Sequence, residues 1–136
     1  MDFVRQNIWL IMMTVTSGIM LLFPNLFGKG AGGAEVDVTG AVQLINHENA
    51  MVLDVREHNE FNAGHIANAR HIPLGQLRDS LRTLDRFKEQ PIVINCRSGN
   101  RSASACAILR KEGFSRVYNL AGGIMAWQRS QMPVVK

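Results

Sequence analysis

The sequence predicts an α/β domain built on a mainly parallel sheet, preceded by one apolar helix of membrane-crossing length. Three observations carry this expectation. From Val36 onward, short apolar runs alternate with helix-like stretches, which implies strands joined by crossover helices and a sheet covered on both faces. Ahead of that pattern, Gln6 to Gly28 is a run of 23 residues without a single charge. Between the two, Lys29 to Ala34 (KGAGGA) has the small-residue composition of a flexible linker. The expected division is an anchor over 1–28, a linker over 29–35 and a domain over 36–136, about 100 residues and within the usual domain range.

The anchor comes first. Its centre, Ile8 to Phe23, reads IWLIMMTVTSGIMLLF. About 20 helical residues cross a hydrocarbon layer of about 30 Å, and the stretch 8–27 supplies them. Its Thr and Ser hydroxyls can bond backward along a helix. Trp9 and Phe27 flank the run near headgroup depth, and Pro24 marks its exit. A cleaved signal peptide fits less well, because the start carries only Arg5 opposed by Asp2 and the candidate cleavage site near Ala34 is distant. A buried core helix fits less well too, given the linker that follows.

Within the domain, Val38 to His47 has apolar residues at helical spacing, with Thr39 as the expected N-cap. Met51 to Val55 (MVLDV) reads as a buried strand, and Arg70 to Pro73 as a second, brief one. Leu74, Leu77, Leu81 and Leu84 recur among charges, which predicts an amphipathic helix over Leu74 to Phe87. Pro91 to Asn95 (PIVIN) is the clearest strand, with Pro at its first position. A helix over Asn100 to Glu112 stops at Gly113, a last strand runs from Arg116 to Leu120, and a short helix follows Gly122 and Gly123 through Trp127.

Composition narrows the function classes. Net charge is +4, and residues 1–35 cancel among themselves, so the excess lies wholly in the domain. There is no basic stripe with interleaved aromatics, so no nucleic-acid partner is expected. The two cysteines, Cys96 and Cys106, and the four scattered histidines offer no metal-ligand spacing, so no metal site is expected.

The chemistry lies where the strand PIVIN meets the next helix. In such folds ligands bind beyond the carboxyl ends of strands, and here that position is the segment CRSGNRS, Cys96 to Ser102. Gly99 permits a tight turn. Successive N–H groups of a curled loop, leading into a helix N-terminus, form a concave donor set for an anion. Arg97 and Arg101 add positive charge, while Ser98, Asn100 and Ser102 add polar groups and a helix cap. Such surroundings lower a thiol pKa, so Cys96 is expected to be a thiolate nucleophile whose persulfide the same donors would cradle. Cys106, inside the helical stretch ASACAIL, is expected to be core.

The loop resembles the active-site loop of rhodanese-like domains. VLDVREHNEFNAGHIANARHIP, Val52 to Pro73, is similar to that family's first signature, and VYNLAGGIMAW, Val117 to Trp127, to its second. The resemblance implies a five-stranded parallel sheet with flanking helices, and a small sulfur-containing anion such as thiosulfate, or a persulfide, as donor. It implies sulfur passing through a Cys96 persulfide to a thiol or protein acceptor, without a metal or organic cofactor. Loop length bears on a rival chemistry. Phosphatases of the same fold have a loop resembling Cys-x5-Arg, and Cys96 to Arg101 is Cys-x4-Arg, one residue shorter and better suited to a sulfane sulfur than to a phosphate.

Asp54 and Arg56, at the end of MVLDV, have two readings: they buttress the loop by ion pairing, or they form a structural salt bridge such as Arg56 with Glu60. His65 and Trp127 are expected to be structural, the first hydrogen-bonded and the second in the core. A binding or scaffold module tethered to the membrane is the alternative function. For the enzyme, a persulfide among reduced thiols argues for an inner-membrane anchor with the domain facing the cytoplasm.

Overall fold

The computed structural model describes residues 1–22 and 34–136 and divides the chain into two units, Met1–Gly30 and Ala31–Lys136.

The first contains helix α1 (Asp2–Gln6) and helix α2 (Ile8–Leu22). Along α2 the Thr14 hydroxyl donates to Leu10 O at 2.7 Å and the Thr16 hydroxyl to Met12 O, the backward bonding expected of these residues. Trp9, Leu10, Met12, Met13, Leu21 and Leu22 are exposed. The expected transmembrane helix is not found as such. Helix α2 has 15 residues, about 22 Å of length against a hydrocarbon layer of about 30 Å. No helix among the described residues is long and apolar enough to cross a membrane. The rest of the apolar run, with Pro24 and Phe27, and linker residues 29–33 lie outside the described residues.

The second unit opens earlier than the sequence suggests. Ala34 and Glu35, expected in the linker, form strand β1 (Ala34–Val36) and pair with Tyr118 and Asn119. Helix α3 (Val38–His47) follows, capped by Asp37 and not by Thr39: the Asp37 carboxylate accepts from Gly40 N at 2.7 Å. Strand β2 (Met51–Asp54), helix α4 (His58–Ala63), strand β3 (Arg70–His71), strand β4 (Ile92–Asn95), helix α5 (Asn100–Lys111), strand β5 (Val117–Leu120) and helix α6 (Gly123–Arg129) complete the domain. Five strands form one sheet in the order β1-β5-β4-β2-β3, every neighbour parallel.

The segment expected as an amphipathic α-helix is two 3₁₀ segments, Leu74–Gln76 and Arg78–Phe87. Spacing explains the difference. Leu81, Leu84 and Phe87 recur at three residues, the period of a 3₁₀ turn, so one edge of the segment meets the core at every turn. A 3.6-residue helix would rotate that row away.

Alternation along the strands builds two cores. Leu53, Ile92 and Ile94 point to one face with Leu77, Leu84, Leu109 and Phe114. Val52 and Val93 point to the other, with Ala41, Ile66, Leu120, Ile124 and Trp127. Trp127 is core as expected, its indole N–H donating to Pro133 O at 3.0 Å. Cys106 lies in the first core. His65 is structural: Nδ1 sits 2.9 Å from Phe61 O, and its ring stacks on Phe61.

Candidate active site

Strand β4 places Cys96 one residue beyond its carboxyl end, between the ends of β2 and β5. The residues of the predicted loop, Cys96 to Ser102, do come together there. Gly99 takes φ +110°, in the left-handed region that favours glycine, and curls the chain back over the sulfur. Gly99 N then donates to Cys96 Sγ at 3.0 Å, and the Ser102 hydroxyl lies 3.3 Å from Sγ. Helix α5 starts directly afterwards with Gly99 at its N-cap, so neither Ser98 nor Asn100 caps it by a side chain.

The Ser98 N–H, one of the donors to the sulfur, is oriented by its own peptide carbonyl, Arg97 O, which is held elsewhere together with Cys96 O. Cys96 O accepts from Ile124 N at 2.8 Å, and Arg97 O accepts from Met125 N at 3.2 Å. Those donors belong to the first turn of α6, whose N–H groups have no partner within their own helix. The close approach is possible because residue 123 has no side chain: a Cβ there would lie 2.4 Å from Cys96 O. Gly99 O is held as well, by Asn119 Nδ2 at 3.0 Å, and Asn119 Oδ1 accepts from the Ser102 hydroxyl at 2.6 Å.

Cys96 is buried, and burial raises its pKa; the Ser102 hydroxyl and the N–H groups of Ser102, Gly99 and Ser98 outweigh that, and the thiol ends below its ordinary value. The expected direction is met, and the largest contributions that lower it come from hydrogen-bond donors of the loop. Cys106 shows the opposite balance: burial pushes its thiol up to about 12.

The arginines divide their work. Arg101 is held by Glu60 in a two-pronged pair, Nη1 to Oε1 at 2.7 Å and Nη2 to Oε2 at 3.0 Å. Glu60 is thus the partner of Arg101 and not, as one sequence reading had it, of Arg56. It also accepts from Glu57 N, closing the capping box of α4. Arg97 is exposed and forms no salt bridge with the described residues. It lines a cavity of about 440 Å³ together with Arg56, Glu60, Gly64, Ile124 and Met125. Cys96 does not line that cavity and is 1% exposed, so only a slender group can reach its sulfur.

Asp54 and Arg56 form a buried pair, Nη2 to Oδ2 at 2.8 Å, with Arg56 Nη2 also donating to Gly64 O at 2.7 Å. Asn95 Nδ2 reaches Asp54 Oδ2 at 3.5 Å. The pair therefore acts on the residue before Cys96, joining the ends of β2 and β4 to α4.

Glu60 gives a pH prediction. Its pKa falls from 4.5 to about 2, mainly through the Arg101 hydrogen bonds. A carboxyl with a lowered folded-state pKa adds stability above its unfolded value, and that stability is lost as pH falls from about 4.5 to about 2. Both side chains retain contact with water, which screens the pair, so the loss should be about 1 kcal/mol. Urea denaturation across this window should show it, and Glu60→Gln should flatten that part of the profile.

Sequence reasoning did not single out Asn119, Asn95 or Gly123 as site residues. For the two asparagines a signal was present: each is a lone polar residue in an otherwise apolar strand, VYNL and PIVIN. Nothing local marks Gly123 as the glycine a neighbouring loop requires.

Comparison with known proteins places these features. Residues 37–130 match the family model for the rhodanese-like domain. A protein named sulfurtransferase from Allochromatium vinosum is 38% identical over 102 residues, covering 74% of this chain and 94% of its own. A thiosulfate sulfurtransferase GlpE from Pseudomonas putida is 40% identical over 88 residues, 65% of this chain and 78% of that one. The crystal structure of a rhodanese-related protein from Thermoplasma volcanium superposes with a TM-score of 0.66 at 33% identity, covering 76% of this chain and 98% of that one. With fold, loop and family model in agreement, this chain belongs to the rhodanese-like domain family.

Proposed function

We propose that the chain is a sulfurtransferase that moves sulfane sulfur from a donor such as thiosulfate to a thiophilic acceptor through a persulfide on Cys96. The observation that carries this reading is the set of donors gathered on Cys96 Sγ: Gly99 N at 3.0 Å and the Ser102 hydroxyl at 3.3 Å. The relatives named as sulfurtransferases support it. The Cys96 thiolate attacks the outer sulfur of thiosulfate; the new S–S bond forms as the old one breaks, and sulfite leaves with its electron pair. Negative charge moves from Sγ to the outer sulfur, where loop N–H groups and Arg97 stabilise it. An acceptor thiol or cyanide then removes that sulfur.

The test is intact mass of the full chain after thiosulfate treatment. A gain of about 32 Da, removed by cyanide and absent in Cys96→Ser, is expected. No adduct with thiosulfate or a persulfide donor, on folded protein with a free Cys96 thiol, would sink the reading and leave a binding or scaffold module.

Arg97 is the uncommitted cation of the loop, so it is the one to meet an anionic donor. Arg97→Ala should lower kcat/KM for thiosulfate by about tenfold or more, the scale of one hydrogen bond to a charged group. Rising salt should narrow the difference between the two proteins. A value within twofold of the unaltered chain would remove Arg97 from donor binding.

We also propose that residues 8–27 attach the protein to the inner membrane, with the rhodanese-like domain facing the cytoplasm. The apolar run in the sequence and the exposed apolar side chains of α2 support this. Extraction by alkaline carbonate, or labelling of a surface cysteine from the periplasmic side, would overturn attachment and orientation respectively.

A further inference from the structure

We propose that Asn119 is a positioning residue that governs, through the Ser102 hydroxyl, whether negative charge rests on the Cys96 sulfur. Ser102 Oγ lies 2.6 Å from Asn119 Oδ1 and 3.3 Å from Cys96 Sγ. Ser102 and Asn119 are 0% and 3% exposed, which leaves little room for water to replace a lost partner. A hydroxyl has one proton and donates it to one neighbour at a time. The far end of Asn119 fixes which atom Ser102 meets: Nδ2 donates to Gly99 O at 3.0 Å, leaving Oδ1, an acceptor only, turned toward the hydroxyl.

Two proton arrangements follow. In the thiol, Cys96 S–H donates to Ser102 Oγ while the Ser102 O–H donates to Asn119 Oδ1, and every group in the chain is satisfied. In the thiolate, sulfur only accepts. The hydroxyl turns to sulfur, and Asn119 Oδ1 is left buried without that donor, at a free-energy cost. Asn119 thus weighs against the resting thiolate. Once the Sγ–S bond has formed and charge has moved to the outer sulfur, Sγ is a neutral bridging atom and the hydroxyl returns to Asn119. The same residue thereby favours the loaded state over the empty anion. That second consequence rests on the proposed sulfur transfer, whereas the proton choice does not.

The experiment is the pH dependence of Cys96 alkylation by iodoacetamide in the full chain, with Cys106 silent because it is buried and its thiol is held at about 12. Asn119→Leu keeps the branched shape of the side chain and removes the acceptor. It should move the alkylation midpoint down by about one pH unit, the scale of one unsatisfied buried acceptor. Ser102→Ala should move it up. In the Ser102→Ala background, Asn119→Leu should cause no further shift, which separates this role from the loss of the Gly99 O contact. An upward shift, or an equal downward shift without Ser102, overturns the proposal. If Asn119→Leu does not fold, the S–H stretching band at acid pH decides: Ser102→Ala should return the Cys96 band to the position of a free thiol, and an unmoved band overturns the proposal. Failure of sulfur loading with these shifts intact would remove the sulfurtransferase reading and leave the role of Asn119 standing.

Discussion

Gly123→Ala is expected to slow sulfur loading on Cys96 by about a hundredfold and to destabilise the domain by about 3–5 kcal/mol, a large share of a typical domain's stability. The cause is local. A Cβ at this position meets Cys96 O at 2.4 Å and both the carbonyl carbon and oxygen of Arg97 at 2.6 Å, all of them backbone atoms. No rotamer relieves such a contact. The residue also has φ +58°, where a side chain adds its own strain. Relief requires α6 to retreat, which breaks the bonds from Ile124 N and Met125 N that hold the loop carbonyls outward. A displacement of about 1 Å at a reacting atom costs on the order of a hundredfold in rate. Urea denaturation and cyanide-dependent thiocyanate release on one preparation check both parts, and Gly75→Ala, whose Cβ would meet nothing within 4 Å, serves as control.

Asp54→Ala should cost a similar amount, about 3–5 kcal/mol, by a different route. Removing the carboxylate leaves the Arg56 guanidinium, 6% exposed, with Gly64 O as its one remaining protein acceptor. An unpaired buried cation is far more costly than the absence of the pair. Removing both charges tests that statement: Asp54→Leu with Arg56→Met should recover much of the loss, because an apolar pair of similar volume carries no charge to desolvate. Thermal unfolding should place Asp54→Ala at least about 12 °C below the unaltered protein, with the double variant between them. A double variant no better than Asp54→Ala would mean that the bonds to Gly64 O and Asn95 matter more than the buried charge.

The sequence carried the architecture wherever one signal dominated. The apolar runs MVLDV and PIVIN became β2 and β4 because buried parallel strands are apolar on both faces, and CRSGNRS formed the loop because Gly99 allows its turn. Legibility failed where two partners competed for one group. Arg56 had both Asp54 and Glu60 nearby in sequence; the fold gave it Asp54, while Glu60 went to Arg101, 41 residues away. The weight of the individual donors in the Cys96 pKa shift was hidden for a related reason. Charge is visible in a string of letters, whereas the direction of a peptide N–H depends on what holds its carbonyl, and here that is α6, more than twenty residues further on. The 3₁₀ segment shows a third kind of limit. Leu74, Leu77, Leu81 and Leu84 read as an α-helical stripe, whereas the residues the core takes from Arg78–Phe87, Leu81, Leu84 and Phe87, recur at three.

Cys106 has a kinetic consequence. The chain has two cysteines, and the second is buried with its thiol pushed up to about 12, so it stays protonated at neutral pH. Many sulfur-handling proteins keep a resolving thiol beside the reactive one, which displaces the loaded sulfur as hydrogen sulfide and leaves a disulfide. Here no such internal exit is ionised. A loaded Cys96 would persist until an outside nucleophile arrives, so its lifetime would depend on the supply of acceptor.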